Sequence, residues 1–310
     1  KNGFFLPRSQ LSFDWEDADH LLVSTDWTGQ DLTESGYPYI VKRLARGQPL
    51  VAAHELFRGY KNDVGVFPSV LRDAPGNTLS LLVRAKDFFH SETFVLTGET
   101  ADKLAIPEKA SVSALVAGRV IVSLDEDWTI AGTTYKAGSV VALDLAAVKK
   151  NPGVIAPTLV WAPGPRDALD GIATTRDRLL LSTLHNVNGV ILAFAPQADG
   201  GWISTQVGLP DNLAVGVSAA DDKTNAMFLT AEGFLTPSTL YFADAAAPAK
   251  LEPLKHLPAK FDASKDMVEQ FEATSTDGTK IPYFVVHRKD IRLDGWTPTL
   301  MSAYGCFQVS

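Results

Sequence analysis

Hydrophobic and polar residues alternate along most of the chain, in short runs that Gly, Pro, Asn and Asp separate. The runs are rich in β-branched and aromatic residues, and a period of two between turn residues is typical of β-strands. Asp144–Lys150 is predicted to form one or two turns of helix, which Pro152 stops. Other amphipathic helical patterns are scarce, so the pattern predicts an all-β protein.

A unit of roughly 40–50 residues recurs about five times, which is the length of a four-stranded propeller blade. Because blades pack face to face around an axis, their inner strands are expected to be apolar on both faces and their outer strands more amphipathic. Units two to five follow this order. A β-sandwich also places a turn roughly every 8–12 residues, but repetition at blade length favours the propeller. The predicted units are Leu11–Phe57, Val64–Ile106, Val112–Trp161, Gly171–Leu209 and Ala214–Leu257.

The pattern changes after Pro258. Two strand-like runs, Glu269–Ser275 and Lys280–Val286, flank Asp277-Gly278. An Asp-Gly pair between such runs predicts a β-hairpin, because the turn needs a positive φ that Gly adopts without strain. Thr299–Tyr304 is predicted to form a further buried strand. This tail is typical of the opening of another domain.

Several motifs, in order along almost the whole chain, resemble bacterial prolyl oligopeptidases. The tail resembles the re-entry of that family into its hydrolase domain in residues 268–270, 276–286, 293–295, 298–300 and 303–307. The upstream motifs resemble its propeller and are Gly-Phe-Phe-Leu-Pro at 3–7, the runs 32–38 and 41–47, Glu-Asp-Trp at 126–128 with 135–139, and 234–241.

The resemblance implies an α/β-hydrolase domain capped by a seven-bladed propeller that admits short proline-containing peptides and excludes folded proteins. We therefore expect residues 1–260 to form about five of seven four-stranded blades and residues 261–310 to form the first strands of the hydrolase domain. An incomplete arc exposes an apolar blade face at each end, so the isolated chain is expected to self-associate or to be poorly soluble.

Serine acyl transfer needs a nucleophile, a base, a group that orients the base, and an oxyanion hole. The Gly-x-Ser-x-Gly motif of a hydrolase nucleophile is absent from the chain. The resemblance places the Ser, Asp and His downstream, so this chain alone is expected to be inactive. It also implies that Tyr304 donates to the oxyanion and that Phe307 lines the substrate pocket. Cys306 replaces a Gly of the family, which would strain a backbone at positive φ by about 1–2 kcal/mol.

No cofactor or metal is predicted. The six histidines lack ligand spacing, and a single cysteine excludes an intrachain disulfide. The carboxylates of Asp125–Trp128 are interpreted as a solvated loop, since calcium-loop spacing is absent. Arg166 and Asp167 are candidates for the mouth of the propeller tunnel.

The 310 residues carry a formal charge of -8, which argues against a nucleic-acid or anionic-membrane surface. No apolar run approaches the ~18 residues that span a bilayer. The chain begins with Lys1 rather than Met, so its natural start is expected elsewhere, and localisation stays open between cytoplasm and periplasm.

Two classes of function remain open from the sequence. One is a serine peptidase that cleaves short peptides after proline, or a related oligopeptidase with broader or basic-residue specificity. The other is a non-catalytic propeller that binds peptides, proteins or glycans. The hairpin and the Tyr304-Gly305 loop favour the peptidase, because a free-standing propeller has no use for them.

Overall fold

The computed structural model describes residues 3–292 and 294–303. Five four-stranded antiparallel sheets follow one another along the chain, and each is one blade. Blades 1 and 2 comprise β1 (Leu11–Trp15), β2 (His20–Thr25), β3 (Ile40–Ala45), β4 (His54–Arg58), β5 (Gly65–Arg72), β6 (Thr78–Ala85), β7 (Ser91–Thr97) and β8 (Thr100–Lys103). A 3₁₀ turn, Leu50–Ala52, precedes β4.

Blade 3 differs from the others by an insertion between its second and third strands. It comprises β9 (Ala110–Val116), β10 (Arg119–Leu124), β13 (Val140–Asp144) and β14 (Thr158–Trp161), with the inserted hairpin β11 (Trp128–Ile130) and β12 (Thr133–Tyr135). Blades 4 and 5 comprise β15 (Asp167–Thr174), β16 (Leu179–His185), β17 (Asn188–Pro196), β18 (Trp202–Gln206), β19 (Ala214–Ala220), β20 (Ala226–Glu232), β21 (Thr239–Asp244) and β22 (Leu251–His256).

Among the described residues the one α-helix, α1 (Leu145–Lys150), lies where the sequence predicts it. The Asp144 carboxylate accepts a hydrogen bond from the Ala147 backbone N–H at 2.9 Å, which caps the first turn. Pro152 follows the last turn, as expected. No helix among the described residues is long and apolar enough to cross a membrane.

The blades are arranged radially rather than stacked as a sandwich. The first strand of each blade lies innermost and contacts the first strand of the next blade, from β1 through β5, β9 and β15 to β19. Asp14 in β1 accepts a hydrogen bond from the Val70 backbone N–H in β5 at 2.7 Å, which links two inner strands directly. This arrangement excludes the β-sandwich alternative.

The hydrophobic core is divided into layers between successive blades. In β6, Leu79 and Leu81 pack towards blade 3, whereas Leu82 packs towards blade 1. In β16, Leu181 packs towards blade 3 and Leu180 towards blade 5. Because successive side chains of a strand point to opposite faces, a strand buried on both faces is a continuous apolar run.

The two ends of the arc differ. On blade 1 the outward layer, formed by Leu21, Val23 and Leu44, is covered in part by Phe4 and Leu6. On blade 5 the outward rings of Phe228 and Phe242 have centroids 5.6 Å apart, and Phe228 is 37% exposed.

After the blades, β23 (Asp266–Thr274) and β24 (Lys280–Arg288) form the predicted hairpin, and Gly278 has a φ of +87° in its turn. The prediction of a buried strand over Thr299–Tyr304 is wrong for its described part. Residues 299–303 form no strand, and Leu300 and Met301 are 95% and 90% exposed. A strand needs a neighbouring backbone for its hydrogen bonds, and none of the described strands pairs with this segment.

A substitution at Gly189 would test how closely blades 4 and 5 pack. A Cβ at Gly189 would lie 2.7 Å from Val215 Cγ2 and 2.9 Å from the Leu213 carbonyl oxygen. We expect Gly189→Ala to destabilise the fold by about 1–3 kcal/mol, as overpacking does, in chemical denaturation. Gly216→Ala is the matched control, because a Cβ there has no atom within 4 Å. Equal stability of the two variants would contradict this packing.

Candidate functional site

The strands within each blade alternate in direction. The loops between the second and third strands of all the blades therefore lie at the same end of the arc. The short connections from the fourth strand of one blade to the first strand of the next lie at the same end. We call this end the loop face. Its second-to-third-strand loops span residues 26–39, 86–90, 125–139, 186–187 and 233–238.

Hairpin β23–β24 contacts the loop face at blades 4 and 5, and Gln270 makes two hydrogen bonds there. The Gln270 Nε2 donates a hydrogen bond to the Asn186 carbonyl oxygen at 2.8 Å, and its Oε1 accepts one from Asn188 Nδ2 at 3.1 Å. One side chain thus bonds both sides of the β16–β17 turn. We refer to this pair of bonds as the Gln270 bridge.

An ion pair and an aromatic pair flank the Gln270 bridge. The Arg166 guanidinium binds the Glu272 carboxylate and also donates to Asn186 Oδ1 at 3.2 Å. Arg166 is half exposed, so the ion pair contributes less than about 1 kcal/mol. The rings of Phe234 and Phe284 lie 5.6 Å apart between blade 5 and β24.

The turn beneath the Gln270 bridge is strained. Asn186 and Val187 have φ values of +49° and +62°, which is the arrangement of a type I′ turn. Asn adopts positive φ readily, whereas a β-branched residue rarely does. Val187 therefore costs about 1–3 kcal/mol, and such residues persist where the surroundings over-determine the backbone.

Two histidines border this junction. His185 Nδ1 lies 2.6 Å from Asp167 Oδ1, and this contact, with the Gly164 backbone N–H, lowers the pKa of the Asp167 carboxyl. In the hairpin, His287 Nε2 lies 2.7 Å from Glu269 Oε2. The Arg288 carbonyl oxygen and then Glu269 raise the pKa of His287. The first contact thus favours the ionised Asp167 carboxylate, and the second favours the protonated His287.

A cavity of about 780 Å³ opens beside the junction. Its walls come from the loop face, from the segment that follows blade 5, and from β24. The lining is mainly apolar and includes Val187, Leu213, Phe234, Phe261 and Phe284. Its volume falls within the range of about 300–1,000 Å³ that is usual for ligand sites.

The structure places Arg166 and Asp167 on the loop face, where each has a partner. Glu126 accepts from the Lys109 N–H at 3.0 Å, and Asp127 accepts from Lys136 Nζ at 2.6 Å. Within residues 3–292 and 294–303, no group of three His, Cys, Asp or Glu side chains could hold a metal ion.

Tyr304, Cys306 and Phe307 lie outside the described residues, so their roles stay predictions. Sequence reasoning missed Gln270 as a contact and Val187 as a strained residue. The available signal was the two-residue gap between the apolar runs that form β16 and β17. Such a gap predicts a tight turn, and Val stands where this turn usually has Gly.

Comparisons with known proteins agree with this geometry. The family model described as the prolyl oligopeptidase N-terminal β-propeller domain matches residues 6–256. An uncharacterised peptidase of Sinorhizobium fredii is 40% identical over 100% of this chain and 43% of its own length. An uncharacterised peptidase of Rickettsia prowazekii is 29% identical over 95% of this chain and 41% of its own length.

Among solved structures, a post-proline cleaving enzyme from Rickettsia typhi matches with a TM-score of 0.85 and 28% identity, over 96% of this chain and 44% of that chain. The chain therefore spans less than half the length of the relatives it matches.

We expect Gln270→Ala to weaken hairpin docking by about 1–2 kcal/mol, because it removes two hydrogen bonds worth about 1 kcal/mol each. Backbone hydrogen exchange of β23 should then accelerate roughly tenfold. Glu272→Ala should have a smaller effect, since its ion pair is partly exposed. Gln206→Ala, an exposed glutamine of β18, is the control. A larger effect of Glu272→Ala, or none from Gln270→Ala, would contradict the role of the bridge.

Proposed function

The chain belongs to the prolyl oligopeptidase family of peptidases, and from that premise we propose that it is the larger part of a propeller that controls access to a serine oligopeptidase site. The proposed substrates are short peptides, cleaved after proline. The observation that carries the proposal is the docking of hairpin β23–β24 on the loop face. If this hairpin opens the hydrolase domain, the loop face is the side of the propeller that faces the catalytic centre.

In this proposal, residues 1–260 belong to the propeller and residues 261–310 begin the hydrolase domain. The radial arrangement supports a gating role, because the inner strands border a central space. A peptide in an extended conformation can pass through such a space, whereas a folded protein cannot. In this proposal, selection by size depends on the width of this space and needs no specific contact.

We further propose that Tyr304 donates its hydroxyl to the oxyanion that forms on the scissile carbonyl, and that Phe307 contacts the substrate. An oxyanion donor acts because its dipole is fixed in a dry site before charge develops. The serine, aspartate and histidine would come from downstream residues, as in the family. No cofactor enters this chemistry, because the serine and its base carry the acyl transfer.

The first test compares this chain with the full-length protein that contains it. With a fluorogenic Gly-Pro substrate, the full-length protein should show turnover that a serine-directed fluorophosphonate blocks, and this chain alone should show none. Full-length protein without turnover on any proline-containing peptide would contradict the proposed activity. Fluorophosphonate-sensitive turnover by the chain alone would contradict the placement of the nucleophile.

A second test concerns Tyr304. In the full-length protein, Tyr304→Phe should lower kcat by roughly 10²–10³-fold, the usual effect of removing one oxyanion donor, while KM changes little. Tyr283→Phe is the matched control, because Tyr283 is a partly exposed tyrosine of β24. A kcat unchanged by Tyr304→Phe would remove Tyr304 from the oxyanion site.

A further inference from the structure

The cavity beside the Gln270 bridge has features that the docking of the hairpin alone does not explain. Phe234 and Phe261 are 60% and 56% exposed although both line it. Two of its lining residues, Val187 and Asn212, have positive φ, at +62° and +59°. Strained residues and exposed aromatic rings therefore coincide at one cavity, and strain of this kind clusters at ligand sites.

Val187 is the most informative of these residues. Its turn position suits Gly or Asn, which would remove the strain. The hairpin forms its hydrogen bonds with Asn186 and Asn188, on either side of Val187. Docking of the hairpin therefore does not need the Val187 side chain. What the Val187 side chain supplies is an apolar wall of the cavity, together with Phe234 and Leu213.

We propose that this cavity binds the apolar side chains of an extended peptide, a proline and its aromatic or aliphatic neighbour, and that Val187 is a specificity-determining residue. The inference rests on the proposed function, since it places part of the peptide substrate on the loop face. A peptide fits better than an acyl chain because amide groups also line the cavity. Asn212 is exposed and lines the cavity, so its side-chain amide is accessible to a peptide bond.

The position of the cavity has a thermodynamic consequence. Phe284 belongs to the hairpin, whereas Val187 and Phe234 belong to the propeller. A ligand that contacts both units binds the docked form better than the undocked form. By linkage, the peptide stabilises docking, and docking strengthens peptide binding by the same factor.

The test uses this chain, so its outcome does not depend on peptidase activity. Acetyl-Phe-Pro-amide is the probe and acetyl-Ser-Gly-amide is the polar control. Titration calorimetry should show saturable binding of the probe only, and the probe should slow hydrogen exchange of residues 266–288. Absence of saturable binding, or equal binding of the polar peptide, would overturn the proposal.

Two substitutions locate the site. Val187→Gly should weaken probe binding about tenfold, since it removes three carbons that the bound probe would cover, yet should leave the chain at least as stable because it relieves the positive φ. Phe234→Ala should weaken binding by a similar factor. Phe88→Ala is the matched control, because Phe88 is an exposed aromatic on the equivalent loop of blade 2 and lines no part of the cavity.

Weaker probe binding together with equal or higher stability in Val187→Gly would show that the Val187 side chain contacts the ligand. A residue with only a structural role would not give this combination. Unchanged affinity in Val187→Gly would overturn the assignment. If a second copy of the chain occupies the cavity instead, Phe234→Ala will convert a dimer to a monomer in sedimentation without weakening the probe, which also overturns it.

Discussion

The middle strands of blades 2 to 4 are largely buried on both faces, and the rest of the structure depends on this constraint. Leu81 and Leu82 are adjacent in sequence and belong to different core layers, one on each side of blade 2. A blade thus stabilises both of its neighbours, and the sheets must fan out around an axis instead of stacking in pairs. The inner strands then border a central space, and the connecting loops collect at the two ends.

The loop face inherits its geometry from this packing. Gly189 lets the backbone of β17 approach β19, where its N–H donates to the Leu213 carbonyl oxygen at 3.1 Å. That close approach fixes the β16–β17 turn relative to blade 5. Because the turn is fixed, its two polar groups present a defined target for Gln270, and the hairpin packs at one place on the arc. The positions of the cavity, the turn and the hairpin therefore all depend on the interface between blades 4 and 5.

Much of the fold was predictable because its signals are local and repeated. Continuous apolar runs such as Leu179–Leu181, with turn residues at blade spacing, gave the five blades, and the family match confirms the resemblance carried by the motifs. Asp277-Gly278 gave the hairpin for the same reason. The prediction failed at Leu300 and Met301, where an apolar composition has no partner strand among the described residues. The Gln270 bridge was not predictable, because its partners lie more than 80 positions away in sequence and their proximity depends on how the blades pack.

The central claim is that the loop face is the side of the propeller directed at the hydrolase domain. The most direct measurement is site-specific cross-linking in the catalytically competent full-length protein, after removal of its other thiols. With Gln270→Cys combined with Asn188→Cys, a short bifunctional maleimide should join the two positions within one chain, as peptide mapping will show. The pair Gln270→Cys and Asn77→Cys, which uses the opposite end of blade 2, should stay unlinked. Equal linking of both pairs, or linking of the Asn77 pair alone, would contradict the account.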